Sequence, residues 1–513
     1  MTLISKNQNT LSKNLIFSIL TVIIIGIVNV LYPVIIGLIF GPEIMGNFSL
    51  ILYWILLLNI PISNGIAPAI SRFIATSSDD LGKKPEIIGI KITIYYFLFI
   101  TVLYPILGFT ILNLNIIEIV IVLVALGSII FHYLFRKTIQ GKENFSYLFK
   151  IELISFLLFI PLMLVFGILP KYLGWNLLTN NYYTIFIPII LYHLFFDILI
   201  SIKYIKKLHL KRFFSLPTET KDILVYASFI GLGVLFSLGI SHFNVIISKN
   251  YLDNFELGVL GFWNSAVSVI SIITVALGSV LLPRITNLRN TEDDLAKSLT
   301  NKVNWIITLI VIPLAGLFFI IFTQYPEILD VITLNKYNMQ IYWLVAILLC
   351  FKELNVLLAD PTLSYMLSSE KHVRFYPISS FIYTISAIIS WILLVPKFGL
   401  IGFAGSLAIG SFIYLLVNYI YTFIIAKRKI GLNFTLLIAF YLLNIGAIVA
   451  LQYWSNAVFI IIWSVLTLVS LIFGIYKSIK LIKNKNFSYR YFKVINETSE
   501  RDEDKISNNA LNK

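Results

Sequence analysis

Runs of about twenty apolar residues recur along this chain from Leu15 to Ile475, and no other feature narrows its fold so far. Wound as a helix, such a run crosses the ~30 Å hydrocarbon core of a bilayer and satisfies its backbone hydrogen bonds internally. A transmembrane barrel strand would alternate apolar and polar residues in ~10-residue segments, and that alternation is missing. Composition agrees. Apolar residues make up 58% of the 513 and charged residues only 12%, about half the usual share. That is too little charge to cover soluble domains of this length.

The runs predict fourteen helical spans, over residues 15–40, 48–74, 92–112, 116–135, 148–169, 183–202, 223–247, 258–282, 303–322, 341–367, 375–395, 401–426, 434–451 and 457–475. The first follows Lys13 and lacks a cleavage site, so it reads as a retained helix rather than a signal peptide. With the N-terminus inside, the inner segments carry 34 of the 39 Lys and Arg. The outer loops carry four, Lys171, Lys249, Lys336 and Lys397, and Lys352 lies within a span. Basic residues stay on the cytoplasmic side, so both termini are expected there, in a plasma membrane protein. The net charge of +14 is thereby a topology signal and not a nucleic-acid footprint.

Loops and motifs exclude several chemistries. The longest outer loop runs only over 323–340, too short to hold a catalytic domain. No phosphate-binding Gly-x-x-x-x-Gly-Lys-Ser/Thr loop exists, since Gly141-Lys142 continues into Glu143 and Gly82-Lys83 into Lys84. The single Cys350 forms no internal disulfide and no zinc-binding Cys pair. Asp79-Asp80 and Glu292-Asp293-Asp294 read as solvated loop acids. Residues 206–222 interleave Lys206, Lys207, Lys211 and Arg212 with Leu208, Leu210, Phe213 and Phe214. This is either a basic amphipathic stretch on the anionic inner leaflet or a solvated linker. The tail from 476 is basic and then acidic and polar, with the composition of a disordered segment.

An internal repeat is visible. Gly46 opens the second span and Pro68 stands near its end; Gly261 and Pro283 stand at the same interval in the eighth. Pro170-Lys171-Tyr172 precedes the sixth span as Pro396-Lys397-Phe398 precedes the twelfth. These matches give an all-α membrane protein of two parallel six-helix lobes, 1–205 and 223–426, joined by 206–222. Spans thirteen and fourteen (427–475) and the tail 476–513 follow.

Ionisable residues inside spans are costly and are therefore the candidate site residues. The tenth span carries Lys352, Glu353 and Asp360; three such charges cost ~7–10 kcal/mol on insertion scales. That helix must face a wet cavity or partner helices. Lys352 is read as a substrate cation and Glu353 and Asp360 as its counter-ions or coupling groups, against a purely structural ion pair. Arg72 and Arg284 end the second and eighth spans, as substrate cations or as snorkelling interface residues. Asp197 and His193 share a face of the sixth span, as a coupling site or a structural contact. Glu152, near the start of the fifth, reads as interfacial. No cofactor or metal is implied.

Five segments together resemble a known family. Phe40-Gly41-Pro42-Glu43-Ile44-Met45-Gly46 resembles the first outer loop of polysaccharide flippases, and Gly65-Ile66-Ala67-Pro68-Ala69-Ile70-Ser71-Arg72-Phe73 the end of their second helix. Gln140-Gly141-Lys142-Glu143-Asn144-Phe145, Leu282-Pro283-Arg284 and Pro396-Lys397-Phe398-Gly399-Leu400-Ile401-Gly402 follow in the same order. The chain is thus similar to O-antigen-type flippases, the polysaccharide transporter branch of the multidrug/oligosaccharidyl-lipid/polysaccharide exporter superfamily. The resemblance implies a V-shaped, two-lobed transporter that performs no covalent chemistry. It would move an undecaprenyl- or dolichyl-diphosphate-linked oligosaccharide to the outer leaflet by alternating access, with a coupling cation. The alternatives are a drug or cation antiporter of the same superfamily and a membrane glycan polymerase or ligase. In the seventh helix, where such proteins often carry Asp, this chain has Asn244.

Overall fold

The computed structural model describes residues 16–76, 83–110, 114–142, 144–172, 182–205, 220–272, 294–304, 325–368 and 370–424, with a few isolated positions beyond. Among the described residues every regular element is a helix. The chain forms two compact units: Met1–Ser279 with Pro326–Leu357 and Glu370–Val417, and Val280–Tyr325 with Leu358–Ser369 and Asn418–Lys513. In the second unit, residues 294–304 are helical and Asp294 pairs with Lys297 at 3.7 Å on the surface. Most of the predicted ninth span, spans thirteen and fourteen, the linker 206–219 and the tail lie outside the described residues.

Ten helices among the described residues are long and apolar enough to cross a membrane. They are α1 (Ile16–Phe40), α2 (Pro42–Ile74), α3 (Pro85–Phe109), α4 (Ile116–Gly141), α5 (Phe145–Ile168), α6 (Tyr183–Ser201), α7 (Thr220–Ser248), α8 (Asn254–Ile272), α9 (Met339–Leu367) and Phe375–Tyr421. The last is two helices, because Gly399 at φ 51° breaks it. We label these α10 (375–398) and α11 (400–421). The break falls in the predicted joint between spans eleven and twelve. Predicted spans one to eight and ten to twelve are therefore all present. Their uncovered faces are apolar stripes at helical spacing, such as Leu98, Phe99, Val102 and Ile106 on α3. Such faces suit a lipid surrounding.

Helix starts run earlier than the apolar pattern suggests, and capping explains why. Gly41 (φ 89°) is the whole joint between α1 and α2, and Pro42 fits the first helical position of α2. Asp253 caps α8 by accepting from the Glu256 N–H at 2.8 Å. Asn115 and Glu118 form a reciprocal capping box on α4, with both bonds at 2.9 Å. The last carbonyls of α1, at Leu38 and Ile39, accept from the Lys336 ammonium, the second at 2.8 Å. This loop lysine completes a helix C-terminus. Beside it, the buried Tyr337 packs its ring 4.5 Å from Phe262, and burial holds its phenol above the ordinary range.

Among the described residues three wide π-helical segments interrupt the spans: Ile27–Leu31, Pro61–Ile66 and Met163–Ile168. Each contains the residue four before a proline: Asn29 before Pro33, Asn64 before Pro68, and Phe166 before Pro170. Proline lacks the N–H that this carbonyl would bind and clashes with it, so the turn widens. Pro105 and Pro361 stand in helices without such a segment.

Because successive helices reverse, Gly41, Asn115, Tyr183, Asp253 and Gly399 share one end of the first unit. Ser71, Gly141 and Tyr226 share the other. The segments that the internal repeat relates pack directly together at the Gly41 end. A Cβ on Gly258 would collide with the Pro42 backbone, and one on Gly261 with Ser49 Oγ. Glycine here permits backbone-to-backbone approach of α2 and α8. Toward the other end, Gly65 of α2 lies against Ala227 and Gly231 of α7.

Candidate functional site

Lys352 stands midway along α9, about equally far from Met339 and Leu367. Its side chain is buried, and its ammonium pairs with the adjacent Glu353 Oε1 at 2.6 Å. It also donates to Asn264 Oδ1 on α8 at 3.2 Å. Asn264 Nδ2 in turn donates to the Tyr53 hydroxyl on α2 at 2.9 Å. The His242 ring of α7 lies 5.4 Å from that of Tyr53. Glu353, Lys352, Asn264 and Tyr53 thus form one polar network across three helices, all buried. Each stands about 15–20 Å along its helix from the Gly41 end, near mid-membrane depth.

What this network can offer chemically is a buried cation for an anion. A buried ammonium needs acceptors, and here they are one carboxylate and one amide. Both are side-chain acceptors, so a ligand oxyanion can replace them without unwinding backbone. Near this point the His242 Nδ1 has no hydrogen-bond partner among the described residues, and Ser241 and Tyr383 add buried hydroxyls. Such groups can serve a hydroxyl-rich ligand.

The other sequence-predicted residues lie elsewhere. Arg72 places its guanidinium 4.3 Å from the Tyr226 ring centroid, near the end of α2. From Tyr53 to Arg72 is about 28 Å along that helix. The two cations therefore do not share one site. Asp360 is buried with Oδ2 unpartnered among the described residues, in the second unit. Arg284 lies outside the described residues. Asp197 and His193 are both buried on α6.

Glu152, read as interfacial, is packed among helices rather than exposed. It is fully buried, with Oε1 3.2 Å from His132 Nε2 of α4 and Oε2 accepting from the Tyr192 hydroxyl at 2.5 Å. Three helices close over a position that hydropathy alone placed at a span edge. Among the described residues no group of three or more His, Cys, Asp and Glu could hold a metal ion. Sequence reasoning missed His132, Arg136, Tyr53 and Asn264. Spacing could have found the first two, one turn apart on one face.

Residues 11–289 match the family of polysaccharide biosynthesis proteins. The chain belongs to that family. The match takes in four of the five segments on which the resemblance rests, all but 396–402. No curated protein matches the chain. Among solved structures, an inward-facing multidrug resistance MATE family transporter of the MOP superfamily is similar at TM-score 0.58 and 16% identity, covering 79% of this chain and 96% of that one. An outward-facing multidrug resistance MATE family transporter of the MOP superfamily has TM-score 0.58 and 15% identity, covering 84% and 96%. A MATE in the bent conformation has TM-score 0.54 and 14% identity, covering 85% and 97%. At these identities the likeness is one of fold. By family this chain is a polysaccharide biosynthesis protein, and its helices, ten of them among the described residues long and apolar enough to cross a membrane, take the fold of the MATE transporters.

Proposed function

We propose that this family member moves a polyprenyl-diphosphate-linked oligosaccharide from the cytoplasmic to the outer leaflet by alternating access. The observation that carries the reading is Lys352, a buried mid-membrane cation held by displaceable side-chain acceptors. A diphosphate needs a cation inside ~30 Å of hydrocarbon. Membership of a polysaccharide biosynthesis family supports a glycan cargo. Arg72 and Arg284 are further cations for the diphosphate at another stage of the path, Arg72 lying about 28 Å along α2 from Tyr53. Glu353, Asp360 and Asp197 are alternative carboxylates for a coupling cation. The two lobes are 1–205 and 223–426. Cells lacking the protein should trap complete lipid-linked units on the cytoplasmic leaflet of the plasma membrane. Normal arrival outside removes the reading.

In this reading the Gly41 end faces outward and both termini are cytoplasmic, on the strength of the Lys and Arg bias. An impermeant thiol reagent added outside should label a cysteine placed at Asn180 or Asn338 and miss one at Ser215 or Asn287. The reverse pattern overturns the orientation. The solved neighbours include multidrug transporters, but a cationic drug would meet a lysine at mid-membrane depth. That disfavours the antiporter reading.

A further inference from the structure

Two cations stand side by side near the end of α4, Arg136 and Lys137. Their helix runs on past them to Gly141, where a Cβ would collide with the Ser71 carbonyl of α2. Two turns earlier, Gly89 of α3 packs on Leu134. This packing draws the pair inside: Arg136 is 5% exposed and Lys137 half-buried.

A buried cation needs acceptors. Arg136 Nε has no hydrogen-bond partner among the described residues, and neither cation makes an ion pair there. The neighbouring carboxylates are turned elsewhere. Glu152 faces His132 and the Tyr192 hydroxyl, and Glu86 pairs with Lys142. Asp197 Oδ1 has no hydrogen-bond partner among the described residues either. The groups that feel the Arg136 charge are Tyr133, Tyr192 and Lys137, two phenols and a second cation. Like charges on adjacent residues repel. A packing role would set a carboxylate against them, and the described residues supply none.

Depth points to the kind of anion that suits the pair. With 26 residues α4 is about 39 Å long, enough to cross the hydrocarbon and reach both head-group layers. Arg136 and Lys137 lie about 6–8 Å short of its last residue. At the end read above as cytoplasmic, that is close to the level of lipid phosphates, in an anionic leaflet. Consecutive residues point about 100° apart, yet both side chains are long enough to converge on one phosphate. The guanidinium would bind through paired N–H groups and the ammonium as a point charge. Lys137, being half-buried, leaves a way in.

We propose that Arg136 and Lys137 form a phosphate-binding site at the end of α4, apart from the Lys352 network, for a lipid head group or a free phosphate ion. The site does not depend on the cargo reading.

The full chain, purified in detergent and freed of anionic lipid, is titrated with dioctanoyl phosphatidylglycerol or with inorganic phosphate at fixed ionic strength. Thermal midpoints and native mass spectrometry report binding. Wild type should melt higher with ligand, and Arg136→Gln should bind about tenfold more weakly or worse. Without ligand, Arg136→Gln should melt no lower than wild type, because it removes a buried charge that has no partner. Lys137→Gln, at a half-buried position, repeats the comparison if Arg136→Gln folds poorly. Lys150→Gln removes an exposed lysine at the same end and should bind like wild type. A shift with phosphatidylglycerol alone assigns the site to a lipid head group, and an equal shift with inorganic phosphate assigns it to a free ion. A wild type that responds to neither, or Arg136 and Lys137 variants that respond as wild type does, overturns the site.

Discussion

Replacing Lys352 by Met together with Glu353 by Gln is expected to abolish glycan export while leaving the amount of folded protein unchanged. The double change is the informative one because the two side chains form a buried pair at 2.6 Å. Lys352→Ala alone strands the Glu353 carboxylate, and breaking a buried pair from one side costs about 3–5 kcal/mol. Lost export in that variant could then reflect lost protein. Removing both charges with near-isosteric groups avoids the stranded ion, and such replacements are often neutral for folding. Asn264 keeps its Tyr53 bond. What is lost is the cation offered to the diphosphate. A charge-assisted hydrogen bond contributes about 1.5–3 kcal/mol, which is roughly 10- to 150-fold in binding. Lys352→Arg keeps the charge with a different geometry and should retain part of the export. Normal export by the double variant at normal abundance would make the pair a packing device only.

Gly258→Ala should fold poorly, with Gly231→Ala as the control. The added Cβ at 258 would sit 2.8 Å from Pro42 Cα and closer still to the Pro42 carbonyl. Both sides of that contact are backbone, so no rotamer change relieves it. Overpacking of this kind costs about 1–3 kcal/mol, sometimes more. At 231 the nearest atom is Gly65 Cα at 3.4 Å, an ordinary contact. Both changes gain helix propensity of up to about 1 kcal/mol, so the difference isolates the collision. Thermal melts of the detergent-solubilised protein should show a lower midpoint for Gly258→Ala and little change for Gly231→Ala. Equal melts would mean that α2 and α8 do not approach as described.

Much of this was legible because its causes are local. Apolar run length marked every described span, and the gap between the eleventh and twelfth runs marked the joint where Gly399 breaks the helix. The repeat between the starts of the second and eighth spans turned out to be a contact, with Gly46, Gly258 and Gly261 lining the α2–α8 seam. Helix ends were less legible. Span four was ended at Phe135 because Arg136 and Lys137 look like loop, yet α4 continues to Gly141. Arg136 is buried there rather than solvated, so a hydropathy pattern that ends the span at Phe135 leaves it out. Lys352 and Glu353 were visible as costly charges, and their pairing is between sequence neighbours. Their extension to Asn264 and Tyr53 is not local. Those residues lie far back in the chain, in the eighth and second spans, and only the packing of α8 and α2 against α9 brings them together.

The central claim is that this protein delivers diphosphate-linked glycans across the bilayer through Lys352. Leaflet-resolved analysis of lipid-linked glycans tests it most directly, in matched cells carrying wild type, no protein, or the Lys352→Met, Glu353→Gln variant. The prediction is complete units on the outer leaflet with wild type only, and the same units held on the cytoplasmic leaflet in the other two. Units reaching the outer leaflet normally without the protein would contradict the account.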